Sequence, residues 1–140
     1  MVGHSLGGVL IRYAVTRLGM AESVGTVTTV ASPHRGTQLA RLGRGPVAAA
    51  LRPGSALLDE LSNQPAQGVR WLAFYSDLDV VVTPRSARLD QSGLDVANIL
   101  VPTHGHLSIL RSTQVVQGVV EHLLDDEQRH PTASIQLRAA

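Results

Sequence analysis

Six residues near the start of the chain have the types and spacing of a nucleophilic serine site. They read Gly3-His4-Ser5-Leu6-Gly7-Gly8. A Gly-x-Ser-x-Gly sequence is typical of a sharp turn between a strand and a helix, which strains the serine backbone and exposes its hydroxyl. Glycines suit such a turn because a Cβ at their positions would collide across it. The motif predicts that Ser5 is a nucleophile; a plain glycine turn is the alternative interpretation.

The spacing of apolar residues predicts the elements that would position Ser5. Apolar residues three and four apart from Leu6 to Leu18 predict a helix, which Gly19 would end. Only Met1 and Val2 stand in the place of the strand expected before the motif. Further along, three short apolar segments predict strands and an apolar stripe predicts a final helix. These segments are Val24–Val30, Val69–Tyr75, Val96–Val101 and Ser112–Leu124.

The organisation of the chain is that of one domain with an α/β layer architecture, because strands alternate with helices and 140 residues are too few for two domains. The segment from Pro33 to Gly68 is too rich in glycine and proline to be one regular element. It has room for short helices at Pro46–Leu51 and Ser55–Leu61, and its length predicts a lid-like insertion. Residues 126–140 are polar and are expected to form a flexible tail.

Composition excludes several classes of function. A formal net charge of +1 leaves no basic excess for binding nucleic acid. The absence of cysteine excludes a thiolate nucleophile, a disulfide scaffold and cysteine-based metal sites. No apolar run approaches the roughly 18–20 residues of a transmembrane helix, and no signal peptide is visible, so the default expectation is a cytoplasmic protein. The compartment and the oligomeric state stay open.

Two motifs resemble one family. Gly3 to Gly8 resembles the nucleophile elbow of lipases and esterases with the α/β-hydrolase fold, and Ala31-Ser32-Pro33-His34-Arg35-Gly36-Thr37 is similar to a segment of bacterial lipases and inositol-deacylase-like hydrolases. The resemblance extends to about Leu124. It implies the C-terminal part of an α/β-hydrolase fold, with a short, mostly parallel sheet flanked by helices. Because the chain starts at the elbow, we expect an N-terminally incomplete domain.

The resemblance implies a catalytic triad in the order Ser, then Asp or Glu, then His. The acid should follow a strand, and both Asp77 and Asp79 come after the strand predicted at Val69–Tyr75. Asp79 is followed by apolar residues and Pro84, which matches the family pattern better than the surroundings of Asp77. The ordinary alternative for both is a turn aspartate that binds its own backbone.

The base should lie in the loop after the last strand. That loop contains His104 and His106, and Gly105-His106-Leu107-Ser108 is the better match to the family pattern. On its own, a loop histidine is ordinarily a solvated surface residue. We expect His106 to be the base and keep His104 as the alternative.

The implied chemistry is the hydrolysis of small-molecule or lipid carboxylic esters through an acyl-enzyme. Ser5 would attack, His106 would transfer the proton, Asp79 would hold the imidazole, and the Leu6 N–H would stabilise the oxyanion. The family's second oxyanion donor comes from an upstream loop, and losing one donor costs about 2.7–4 kcal/mol. The alternatives are therefore a non-catalytic remnant of a lipase-like hydrolase, or an acyltransferase or thioesterase using the same triad.

The remaining histidines receive structural interpretations. We expect His4 to shape the elbow, His34 to support its loop rather than bind a metal, and His122 and His130 to be solvated. No set of metal-ligating residues is clustered in the sequence, so it predicts neither a metal nor a cofactor.

Overall fold

The computed structural model of the chain describes residues 1–129, in which four parallel strands form one sheet. The strands lie in sequence order and each runs parallel to its neighbours. They are β1 (Val2–His4), β2 (Thr26–Val30), β3 (Arg70–Tyr75) and β4 (Asp95–Leu100). Because all four point the same way, the residues that follow them meet at one edge of the sheet.

The register aligns those following residues closely. His4 pairs with Val30 and Tyr75 pairs with Leu100. The backbone N–H of Ser5 donates to the Val30 carbonyl at 2.9 Å, which continues the β1–β2 ladder one residue past the strand. The first residues after β1 and β2 therefore stand side by side at the carboxyl edge of the sheet, and the first residues after β3 and β4 do the same.

Helices cover both faces of the sheet. They are α1 (Leu6–Arg17), α2 (Pro46–Ala50), α3 (Ala56–Asn63), α4 (Pro84–Ala87) and α5 (Thr113–Arg129). Helix α1 packs on one face, where Val15 joins a buried cluster with Trp71. Helix α5 packs on the other face, where Val115 joins a second cluster with Phe74. The period-two alternation of strand side chains sends Trp71 and Phe74 to opposite sides.

The strands and helices predicted from apolar spacing are present, with shifted ends. The helix predicted at Ser112–Leu124 extends further, to Arg129, so residues 126–129 of the predicted tail are helical. In the added turn, Asp125 forms ion pairs with both Arg70 and Arg129. His130 and the rest of the predicted tail lie outside the described residues. Helix α4 was not predicted; it begins at Pro84, a residue favoured at the first position of a helix.

The segment 33–68 contains both predicted short helices. Leu58 and Leu61 of α3 form a buried cluster with Val9 of α1, so this part of the segment is packed against helix α1. Its role as a lid stays a prediction. None of the helices within residues 1–129 combines the length and the apolar character needed to cross a bilayer.

Candidate active site

Ser5 occupies a strained turn between β1 and α1. Its backbone has φ 52° and ψ −125°, a conformation that residues with a side chain rarely adopt. The flanking glycines are required sterically: a Cβ on Gly3 would lie 2.7 Å from the Gly8 nitrogen, and a Cβ on Gly8 would lie 2.1 Å from the Ser32 hydroxyl oxygen. Close packing therefore requires glycine at Gly3 and Gly8, whereas a Cβ on Gly7 would meet no atom within 4 Å, so the collision expected at every glycine of the motif does not occur there.

His106 lies beside Ser5, although the two are far apart in sequence. Its Nε2 is 2.9 Å from the Ser5 hydroxyl oxygen. The histidine lies in the loop that follows β4, and its side chain is 13% exposed. The imidazole is therefore largely enclosed but still reachable by a small molecule.

Asp79 completes a chain of three side chains. Its Oδ2 is 2.8 Å from His106 Nδ1, and its Oδ1 accepts hydrogen bonds from the backbone N–H groups of Val81 and Val82, both at 2.8 Å. The side chain is 1% exposed. A carboxylate accepts only, so His106 Nδ1 carries the proton and Nε2 presents its lone pair to the Ser5 hydroxyl. This is the tautomer that a general base requires.

The alternative acid and base candidates have other contacts. Asp77 Oδ1 accepts from the backbone N–H of Thr103 at 2.8 Å, and His104 Nδ1 lies 2.7 Å from the Pro102 carbonyl. The hydrogen bonds of residues 1–129 do not join either side chain to Ser5. Asp77 instead ties the loop after β3 to the loop after β4.

Ser76 joins the same two loops. Its hydroxyl donates to the His104 carbonyl at 2.5 Å and accepts from the His104 N–H at 3.2 Å and from the Leu78 N–H at 3.4 Å. The side chain is buried, being 1% exposed. The loops that carry Asp79 and His106 are thereby fixed to one another. Ser76 was not predicted as a site residue, and its only signal in the sequence is its place directly after a strand.

Leu6 is the first residue of α1 and directly follows Ser5. The first N–H groups of a helix have no partner within the helix, and they carry the positive end of its dipole. The Leu6 N–H is thus placed to meet negative charge that develops on an atom bound near Ser5.

His4 has a contact that sequence analysis did not foresee. Its Nε2 lies 3.0 Å from the carbonyl oxygen of His106, and the two imidazole rings are 4.9 Å apart between centroids. The expectation was that His4 shapes the elbow rather than reacting. The partner is 102 residues away, so local spacing contained no signal for it.

His34 and Arg12 are buried polar residues near the elbow. His34 Nε2 lies 3.1 Å from the Thr29 hydroxyl, and burial holds the pKa of His34 well below 6.5. Arg12 donates to the Leu61 carbonyl at 2.9 Å, and burial lowers its pKa to about 10. Both side chains tie the loop and helix layers together. Arg12 was not singled out from sequence, because its partners come from remote parts of the chain.

His122 differs from its expected solvated state. It is half-buried, and burial followed by the neighbouring charge of Arg70 lowers its pKa. It lies within α5, near Arg70 at the start of β3. Across residues 1–129, His, Asp and Glu side chains form no group of three that could hold a metal ion.

Comparisons with known proteins agree with this architecture. No protein-family model and no curated protein matches the sequence. A solved structure of the mature lipase BlEst2 of Bacillus licheniformis superposes with a TM-score of 0.70 at 19% identity. The monoacylglycerol lipase of Paleococcus ferrophilus and Est1E of Butyrivibrio proteoclasticus each superpose with a TM-score of 0.59 at 16% identity.

The chain has part of the α/β-hydrolase fold. The match covers 88% of this chain but 64% of the mature Bacillus lipase, and the corresponding shares are 89% and 67% for the Paleococcus lipase. The described sheet thus corresponds to part of the α/β-hydrolase sheet, as the resemblance of the elbow motif implied.

Proposed function

We propose that this protein is a serine hydrolase that cleaves carboxylic esters. The observation that carries the proposal is the continuous hydrogen-bond chain from Ser5 through His106 to Asp79, with contacts of 2.9 and 2.8 Å. A serine, a base and an orienting acid in this geometry are the constellation of nucleophilic acyl transfer. Two of the similar solved structures are lipases, which supports the same class of substrate.

In the first half-reaction, the Ser5 oxygen attacks the ester carbonyl carbon while His106 Nε2 takes the hydroxyl proton. The carbonyl oxygen becomes an oxyanion, and the Leu6 N–H donates a hydrogen bond to it. The charged imidazole is stabilised by Asp79, which stays ionised. Collapse of the tetrahedral intermediate breaks the bond to the alcohol, and His106 returns the proton to that leaving oxygen.

The second half-reaction repeats these roles with water. His106 Nε2 takes a proton from the water, whose oxygen attacks the acyl carbon. The bond to Ser5 then breaks, and the serine oxygen recovers the proton. The products are a carboxylic acid and an alcohol, and the three side chains return to their starting states.

Apolar side chains next to the site support substrates with an apolar portion. Leu78 and Val80 flank Asp79 and are 57% and 86% exposed, and Leu107 follows His106 and is 71% exposed. Exposed apolar groups collected at one place are typical of a binding surface. We extend the proposal to lipid-like esters on this basis, with segment 33–68 as a lid-like cover.

The test is hydrolysis of p-nitrophenyl acetate and p-nitrophenyl octanoate by the chain and by its Ser5→Ala variant. We expect Ser5→Ala to lose at least about 10³-fold in kcat/KM. Ser92→Ala, which changes an exposed loop serine, is the matched control and should leave the rate unchanged. Equal rates in the chain and in Ser5→Ala would refute the proposed nucleophile.

A fluorophosphonate probe tests the nucleophile without turnover. The probe should label Ser5, and Ser5→Ala should remain unlabelled. A folded chain that neither reacts with the probe nor hydrolyses either ester would favour the alternative of a non-catalytic lipase-like remnant.

A further inference from the structure

His4 connects the strand that carries Ser5 to the loop that carries His106. A backbone carbonyl can only accept, so the 3.0 Å contact is a hydrogen bond donated by His4 Nε2 to the His106 oxygen. The His4 ring also packs against the His106 ring, with centroids 4.9 Å apart and planes inclined by 42°. His4 therefore contacts both the main chain and the side chain of one residue.

The other anchors of this loop are made by the three residues before His106. Before it, Thr103 binds Asp77 and His104 binds Ser76. Next to it, the Gly105 N–H donates to Ser108 and the Gly105 carbonyl accepts from Ile109. Among the hydrogen bonds of residues 1–129, the one made by the main chain of His106 itself is the bond to His4.

We propose that His4 is a positioning residue for His106. Its hydrogen bond sets the place of the His106 peptide, and its ring limits rotation of the imidazole, so that Nε2 stays 2.9 Å from the Ser5 oxygen. The inference rests on the proposed function for its effect on rate. Displacing a reacting group by about 1 Å can cost about 10²-fold in rate.

The kinetic test compares His4→Ala, His4→Gln and the control His104→Ala. We expect His4→Ala to lower kcat by about 10- to 100-fold with KM changed less than twofold, because substrate contacts stay intact. His4→Gln keeps an N–H donor and should recover a large part of that loss. His104→Ala changes the other histidine of the same loop and should stay within about threefold of the parent chain.

Two kinetic results would overturn the inference. One is a His4→Ala variant with the parent kcat. The other is an equal fall in His104→Ala, which would indicate general loosening of the loop. Unfolding midpoints are measured for every variant, and His4→Gln provides the comparison if His4→Ala does not fold.

A spectroscopic test does not depend on turnover. The Nδ1 proton of His106, held by Asp79 at 2.8 Å between heavy atoms, should give a downfield proton resonance in NMR spectra. We expect the resonance to broaden or disappear in His4→Ala and to persist in His4→Gln and in Ser5→Ala. An unchanged resonance in His4→Ala would overturn the positioning role, whereas full esterase activity in Ser5→Ala would refute the proposed function alone.

Discussion

Replacing Asp79 by asparagine tests the chain of side chains at its most constrained point. The two backbone N–H groups of Val81 and Val82 both donate to Oδ1 at 2.8 Å. In Asp79→Asn, only the amide oxygen can accept those bonds, because an NH₂ group there would oppose two donors. The NH₂ group must then face His106 Nδ1, where the carboxylate Oδ2 stood at 2.8 Å.

The consequence is a change of tautomer at His106. An NH₂ neighbour donates, so Nδ1 must present its lone pair and the proton moves to Nε2. Nε2 then cannot take the proton of Ser5, which lies 2.9 Å away. A tautomer change of this kind costs about 10⁴-fold in kcat, equivalent to about 5.4 kcal/mol of transition-state stabilisation.

The assay is p-nitrophenyl ester hydrolysis with the unfolding midpoint measured in parallel. Asp77→Asn is the matched control, since an asparagine oxygen can still accept from the Thr103 N–H that lies 2.8 Å from the present carboxylate. We expect the control to stay within about threefold of the parent rate. An Asp79→Asn chain that keeps a tenth or more of the parent kcat would refute the assigned role of Asp79.

Three further predictions concern stability. Gly8→Ala should lower the free energy of unfolding by about 2 kcal/mol, because its Cβ would lie 2.1 Å from the Ser32 oxygen. Gly7→Ala, whose Cβ would have no atom within 4 Å, should raise the free energy of unfolding by up to about 1 kcal/mol. Urea titrations measure both changes. Ser5→Gly should raise the free energy of unfolding by about 1 kcal/mol while abolishing ester hydrolysis, since glycine tolerates φ 52°; a less stable variant would contradict stored strain. Below pH 6.5, His34 stays neutral in the folded protein but binds a proton in the unfolded chain. The free energy of unfolding should therefore fall on acidification by up to about 1.4 kcal/mol per pH unit. In His34→Gln, this part of the pH dependence of stability should be lost.

Local sequence predicted most of the fold because the signals are local. The apolar spacing of α1 and the β-branched run of β2 depend on neighbours within a few residues, and their ends fell close to the predicted positions. The extension of α5 to Arg129 did not follow from local spacing. In the added turn Asp125 pairs with Arg70, and a contact between residues 55 apart leaves no signal in local spacing.

The three side chains of the candidate site were predictable from sequence, but the hydrogen bonds that hold them in place were not. The order of Ser5, Asp79 and His106 pointed to three side chains that lie within hydrogen-bond distance in the structure. The parts that escaped prediction are contacts between loops. His4 has no local feature that distinguishes it, and its partner is defined only when parallel strands bring the ends of β1 and β4 to the same edge.

The hydroxyl of Ser76 couples the motions of the loop after β3 and the loop after β4. Because one buried oxygen binds both the turn before Asp79 and the peptide of His104, neither loop can swing outward without breaking the other's anchorage. Thermal opening of the two loops should therefore be concerted, and the amide hydrogens of Leu78 and His104 should exchange with solvent at matching rates. The hydrogen-bond chain of Ser5, His106 and Asp79 would then be lost in one step, with few partly formed intermediates.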